Sequence, residues 1–372
     1  MVYLDYAAHF PMSRDVADKI HQVFQLELGS PGGIHTAAAE ARATVQQSRR
    51  ELAELLNVRP QELFFTSGGT ESNNWAIKCG IRSSGRRHMI VSAAERKSVL
   101  ESARAMEKEG FAVTYIKPDA HGLVSLDSIE AALRPDTGLI SVQSVNNETG
   151  VIQDLAGIAA LAKSRRILCH CDAVQSFAHS PLPLERADMV SLSAHKLGGP
   201  VGLGLLVMRQ PLLLPPLIHG GGQELGLRSG TENAAGIAGF ALAAKLSCRS
   251  MEAEHKRLAS LTGAFEQLLL AAVPGAEING AAAPRQPGIV NCFFPGMRAE
   301  ELVTRLDMHG ICASPGAACA ARDTAPSHVL MAMGLGRERA ECSVRFSMGR
   351  DTDMEALSLT AKTLGQILRR EI

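Results

Sequence analysis

Between residues 60 and 210 the chain alternates short β-branched runs with longer stretches of helical periodicity. The runs are MIVSA (89–93), AVTYI (112–116), LISVQSV (139–145), ILCHCDA (167–173), MVSLSAH (189–195) and LGLLVM (203–208). Helical segments such as SVLESARAMEKEG (from 98) and LAGIAALAKSR (from 155) lie between most of them. Strands alternating with helices predict an α/β fold with a largely parallel sheet covered on both faces. A Gly-rich turn joins the last two runs directly, which admits an antiparallel pair and hence a mixed sheet. Upstream, a helix is predicted from Ala37 to Leu56, with Leu52, Leu55 and Leu56 at helical spacing. Downstream come the Gly-rich HGGGQELGLRSGTEN (219–233) and a helix from Ala234 to about residue 270. The rest reads as an α+β unit: a strand in IVNCFF, a helix over 299–309, a loop over 312–325, a helix over 326–333, a strand in SVRFS (343–347) and a final helix over 354–370. The expected division is a large domain over 14–245 and a small domain made of 1–13 and 246–372.

Composition narrows the class without naming it. The 372 residues are 46% hydrophobic and 20% charged, enough apolar side chain for a large core. Lys plus Arg and Asp plus Glu both number 38, so no overall field favours nucleic acid or an anionic membrane. The start, MVYLDYAAHF, lacks a basic stretch followed by an apolar run, so no signal peptide is expected. Every long apolar stretch is broken before it reaches the length of a membrane span. None of the eight cysteines forms a C-x-x-C pair, so neither a zinc site nor a disulfide framework is expected, and the cytoplasm is the expected compartment. Cys169 and Cys171 are expected on opposite faces of one strand.

Particular residues then suggest chemistry. Lys196 follows a strand in S-A-H-K (193–196), at the carboxyl edge where open α/β sheets bind ligands. A lysine there can shed water and its proton and form an imine, or it can simply cap a turn at the surface. Asp172 ends an apolar strand in H-C-D-A-V-Q (170–175); it is either a buried carboxylate needing a partner or a helix cap. F-T-S-G-G-T-E-S-N-N (65–74) runs strand, Gly-Gly turn and helix start, a seat for phosphate on free N–H groups. Thr70 adds a hydroxyl, but neither a P-loop lysine nor a dinucleotide fingerprint is present. Cys319, in the small-residue loop A-S-P-G-A-A-C-A-A (313–321), is a thiol able to reach a cleft or a loop residue without a role. Arg345 inside S-V-R-F-S holds either an anionic ligand or a structural carboxylate.

In this order the pieces resemble the cysteine desulfurases of the NifS and IscS type, members of the fold-type I pyridoxal-phosphate enzymes. The likeness runs from YLDYAA (3–8) through VNNETG (145–150) and RSGTEN (228–233) to SVRFSMGR (343–350). The resemblance implies that Lys196 carries pyridoxal 5′-phosphate as an imine and that Asp172 pairs with the pyridine nitrogen. It implies that Gln175 and Asn147 touch the phenolic oxygen or its surroundings, and that Gly69, Thr70, Ser193 and His195 hold the phosphate. Thr231 is implied to reach the phosphate bound by a second subunit, which makes the protein a homodimer. Arg345 is implied to bind the carboxylate of L-cysteine. Cys319 is implied to take the sulfur as a persulfide, releasing alanine, and to pass it to an acceptor protein.

The sequence departs from that family at several points. A-E-R-K (94–97) places Arg96 where the family has T-E-H-K, with a ring-stacking histidine. An arginine stacks and donates but does not accept a proton, so Arg96 is a catalytic position with altered chemistry. Ser30-Pro31 replaces Asn-Pro, His9-Phe10 replaces Thr-Thr, and Gln223 and Leu225 stand where many members carry His and Arg. Two alternatives to desulfuration of cysteine follow. One is a lyase acting on selenocysteine, cystine or cysteine sulfinate; the other is a degenerate scaffold for a sulfur-transfer partner.

Overall fold

The computed structural model describes residues 1–26, 29–316 and 325–369. Its centre is a seven-stranded sheet, in the spatial order Leu63–Thr66, Gly204–Met208, Met189–Ser193, Leu168–Asp172, Thr137–Ser141, His88–Ser92 and Ala112–Ile116. The five strands from Met189–Ser193 to Ala112–Ile116 are parallel, and Gly204–Met208 runs antiparallel to both its neighbours. The mixed sheet expected from the short Gly-rich connection is therefore present. Because of that topology, Thr66, Ser193, Asp172, Ser141 and Ser92 all end at one edge, and Gly204 begins there, paired to Thr66 on one side and Ser193 on the other.

Period-2 alternation assigns the side chains of each strand to two cores. Met89, Val91, Leu206 and Met208 pack with Trp75, Ile77 and Val99 from the helices Gly69–Ser83 and Lys97–Lys108. Ile90, Leu205 and Val207 face the other way, onto a core shared with Val45 and Leu52 of helix Thr36–Leu56 and Ile158 of helix Leu155–Ser164. Cys169 and Cys171 both lie in this second core, which corrects the expectation of opposite faces. Residues two apart in a strand share a face. It is His170, between them, that points away, bonded to Ser141 Oγ (2.8 Å) and Ser191 Oγ (2.9 Å). Burial lowers the His170 pKa to about 4, so it sits neutral within the sheet.

Helix Ala234–Ala272 is 39 residues long, about 58 Å at 1.5 Å per residue. Its Asn233 cap accepts from Gly236 N (3.0 Å). Its first half, through Ala244, packs on the large sheet, and its second half, from Leu258, packs under a three-stranded antiparallel sheet of Glu277–Ile278, Ile289–Phe293 and Ser343–Ser347. The boundary expected near residue 245 falls inside this unbroken helix. The core beneath the small sheet joins Phe265, Phe294 and Phe346 to Leu357 and Leu364 of helix Met354–Arg369. The N-terminal strand Val2–Tyr3 pairs with Ile311–Cys312, so the first residues belong with the last third of the chain and cross the carboxyl edge of the large sheet. Among the described residues no helix is long and apolar enough to cross a membrane, and no cluster of His, Cys, Asp and Glu is placed to hold a metal.

Candidate active site

The cleft is built where the large sheet's carboxyl edge meets the N-terminal segment. Lys196 sits in a tight turn after the strand Met189–Ser193 and is buried. Its Nζ donates to the carbonyls of Ala7 (2.5 Å) and Ala8 (2.7 Å) in the YLDYAA motif. It is not the exposed turn-capping lysine that was the alternative. His179 Nε2 donates to the Lys196 carbonyl (2.8 Å), fixing the turn from beneath. His195, half-buried, stacks on His9 with ring centroids 5.7 Å apart. Burial first, and then the charges of Lys196, His9 and Arg96, push its pKa down to about 4. A neutral imidazole can donate one N–H to a phosphate without adding a charge.

Asp172 is 2% exposed at the end of its strand. Oδ1 accepts from Val174 N (3.0 Å); Oδ2 accepts from Asn73 Nδ2 (2.7 Å) and lies 3.5 Å from Arg96 Nη1. The bond to Val174 closes a turn and starts no helix, so the capping alternative fails and a buried carboxylate with partners remains. Asn73 was not singled out from the sequence. Its signal was the helix register: three residues after Thr70 it falls on the inward face of the helix that begins at Gly69.

The turn before that helix is shaped by glycine. Gly68 has φ 153°, a conformation that side chains disfavour. A Cβ on Gly69 would stand 2.6 Å from Val174 Cγ2, 3.3 Å from Arg96 Nη1 and 3.7 Å from Ser193 Cβ. The helix start is thus a cradle walled by Val174, Arg96 and Ser193, with helical N–H groups at its rim. Thr70 is exposed on the first turn. Gly204 lets the cradle close: a Cβ there would be 2.5 Å from Gly68 Cα and 2.7 Å from Leu192 O, both backbone. Gly204→Ala should therefore push the Gly68 turn outward. Overpacking of this kind costs about 1–3 kcal/mol, and we expect roughly tenfold weaker binding of a phosphorylated cofactor, read by titrating the apoprotein. Wild-type affinity would show that the turn does not hold the phosphate.

Gln175 is buried with Oε1 unpartnered, while its backbone carbonyl accepts from Gln286 Nε2 (3.1 Å). Asn147 is half-buried and its carbonyl accepts from Arg345 Nη1 (2.9 Å). Arg345 is 1% exposed; Nη2 bonds Asp5 Oδ1 (2.6 Å), and Nε has no partner. The structural ion pair is therefore real, with Asp5 supplied by the N-terminal motif. Thr231 is exposed on the Gly-rich segment, three residues after Arg228, which clasps Glu71 of the cradle helix through two bonds of 2.8 and 3.0 Å. Among the described residues no hydrogen bond joins Thr231 to the cleft.

Buried carboxylates that the sequence did not reveal complete the surroundings. Glu95 Oε1 accepts from Gln143 N (2.5 Å), and Oε2 is unpartnered. Burial, and then the charge of Asp172, hold its pKa well above the usual carboxylate range. Glu148 Oε2 accepts from Ser327 Oγ (2.5 Å) and would lie 3.0 Å from a Cβ on Gly316. His328 Nε2 donates to the Glu95 carbonyl (2.8 Å). Cys319 lies outside the described residues.

These residues fit pyridoxal 5′-phosphate. The helix start at Gly69 suits a phosphate, the buried Asp172 carboxylate suits a protonated ring nitrogen, the Gln175 amide has an N–H₂ that can donate to a ring oxygen, and Lys196 supplies the amine. The comparisons agree. Residues 2–359 match the model of the family described as Aminotransferase class-V. A curated relative from Dictyoglomus turgidum, "Cysteine desulfurase IscS", is 38% identical over 374 residues, covering 99% of this chain and 95% of that one. Among solved structures, a "NIFS-LIKE PROTEIN" superposes with a TM-score of 0.92 at 33% identity, covering 99% of both chains. "SspA in complex with cysteine" gives a TM-score of 0.83 at 34% identity, covering 94% of this chain and 99% of that one.

Proposed function

Since this chain belongs to the class-V aminotransferase family, we propose that it is a pyridoxal-phosphate-dependent cysteine desulfurase, converting L-cysteine to L-alanine and transferring the sulfur to Cys319. The observation that carries this reading is the burial of Lys196 at the sheet edge that also presents Asp172 and the Gly69 cradle. When bound, the cofactor supplies an electron sink conjugated to the substrate's α-carbon.

The chain's own residues then divide the work. Lys196 Nζ would hold the cofactor covalently, aimed by the Ala7 and Ala8 carbonyls. Asp172 keeps the proton on the ring nitrogen, and Asn73 holds Asp172 in place. Gly69, Thr70, Ser193 and His195 hold the phosphate, while Gln175 and Asn147 border the ring oxygen. Arg345, braced by Asp5, offers its unpartnered Nε to the substrate carboxylate. The Cys319 thiolate attacks the substrate sulfur. A sulfur–sulfur bond forms, the substrate's carbon–sulfur bond breaks, and a proton completes alanine. The persulfide then passes its outer sulfur to an acceptor protein.

We place the large domain at 14–245 and the small domain at 1–13 and 246–372. A second copy of the chain is the occupant that brings the exposed Thr231 to a phosphate, which makes the enzyme a homodimer. The seven described cysteines are free, in keeping with a cytoplasmic enzyme, and the balanced charge gives no footprint for nucleic acid.

The test is incubation with pyridoxal phosphate, L-cysteine and a thiol reductant. Wild type should form alanine and sulfide in equal amounts, and Cys319→Ala should form neither above background. Equal sulfide from both proteins would overturn the role of Cys319. Turnover of selenocysteine, cystine or cysteine sulfinate without turnover of cysteine would redirect the reading to a related lyase.

A further inference from the structure

Arg96 lies against both ends of the cofactor seat. Its Nη1 is 3.5 Å from Asp172 Oδ2, at the ring-nitrogen end, and would be 3.3 Å from a Cβ on Gly69, at the phosphate end. A single atom, Nη1, makes both contacts, so the guanidinium borders the seat between its two ends. We propose, on the functional reading above, that Arg96 is a fixed cation bordering the cofactor seat, suppressing protonation of the Lys196 nitrogen that carries the cofactor.

The charges around Lys196 make Arg96 decisive. The N-terminal segment contributes the Ala7 and Ala8 carbonyls and His9, and the turn contributes His195. The segment after Asp172 contributes His179, and burial first of all lowers the pKa of both His179 and His195. Glu95, beside Arg96, is held toward its neutral form by its burial. Arg345 is balanced by Asp5 at 2.6 Å. Asp172 is the near anion, and its Oδ2 already takes the shorter bond from Asn73, at 2.7 Å against 3.5 Å for Arg96. Once Asp172 also serves the ring nitrogen, one carboxylate faces two cations. The Arg96 side chain is only 18% exposed, so solvent screens it poorly. A further proton on the Lys196 nitrogen is therefore disfavoured.

The test needs no substrate. The visible band of pyridoxal phosphate bound to Lys196 reports the protonation of that nitrogen, and it is titrated with pH in wild type, Arg96→Gln and Arg96→Lys holoenzymes. Removing the charge in Arg96→Gln should move the midpoint upward by about one to two pH units, the scale set by losing one unit charge from a partly screened site. Arg96→Lys, which keeps the charge but loses the plane, should stay closer to wild type than to Arg96→Gln. Coincident titration of wild type and Arg96→Gln would overturn the proposal, and so would an Arg96→Lys midpoint as high as that of Arg96→Gln. A wild-type protein that takes up no pyridoxal phosphate would overturn the functional reading itself.

Discussion

Lys196→Ala should give a protein that binds pyridoxal phosphate only reversibly and forms alanine at least about 10⁴-fold more slowly than wild type, the scale on which loss of a covalent catalytic group acts. In the wild type, borohydride should fix the cofactor to one lysine; in the variant, intact mass should show no attachment. The structure explains why no neighbour can substitute. The side chain is enclosed beneath the first eight residues, and its amine is aimed by the Ala7 and Ala8 carbonyls. His179, the nearest base below it, is committed to the Lys196 carbonyl. In the apoprotein the substitution also leaves those two carbonyls without their donor. An unsatisfied buried acceptor costs about 1–3 kcal/mol, so the melting temperature should fall as well. A variant that keeps its covalent cofactor would place the imine on another residue.

Asp172→Asn should lower the rate of alanine formation by roughly 10²–10³-fold while leaving the fold intact. Removing one partner of a buried charge pair costs about 3–5 kcal/mol, and each 1.4 kcal/mol is a factor of ten in rate. The substitution is nearly isosteric. The Val174 N–H keeps its acceptor, and Asn73, whose Oδ1 is unpartnered, can turn its amide to receive the new N–H₂. The charge is lost, and with it both the preference for a protonated ring nitrogen and the anion that Arg96 Nη1 faces at 3.5 Å. A rate within a few fold of wild type would show that Asp172 is structural. A large fall in melting temperature would assign the loss to folding instead.

Much of this was legible because it is local. The six strand runs between residues 89 and 208 emerge with shifts of a few residues at their ends, since period-2 alternation is written into each run separately. Lys196, Asp172 and the Gly68–Gly69 turn were legible for the same reason: each lies at a strand end, and a parallel sheet gathers its strand ends along one edge. What escaped depends on chain segments far apart in sequence. Arg345 and Asp5 are 340 residues apart, and they meet because the N-terminal segment bridges Asp5 to Ser347 and pairs its first strand with Ile311–Cys312. The Ala7 and Ala8 carbonyls on Lys196 follow from the same crossing. Asn73 and Glu95 escaped differently. A polar side chain on a buried helix face or just past a strand end has no signature apart from its partners, and those partners, Asp172 for Asn73 and Gln143 N for Glu95, lie on segments distant in sequence.

The central claim is that sulfur leaves cysteine and lodges on Cys319. After treatment of the holoenzyme with L-cysteine, without reductant, and alkylation of its thiols, peptide mass spectrometry reads the residue that carries extra sulfur. One added sulfur is expected on Cys319 and none on the buried Cys79, Cys169, Cys171 or Cys292. Sulfur lodged on another cysteine, or alanine formed with Cys319 unmodified throughout, would contradict it.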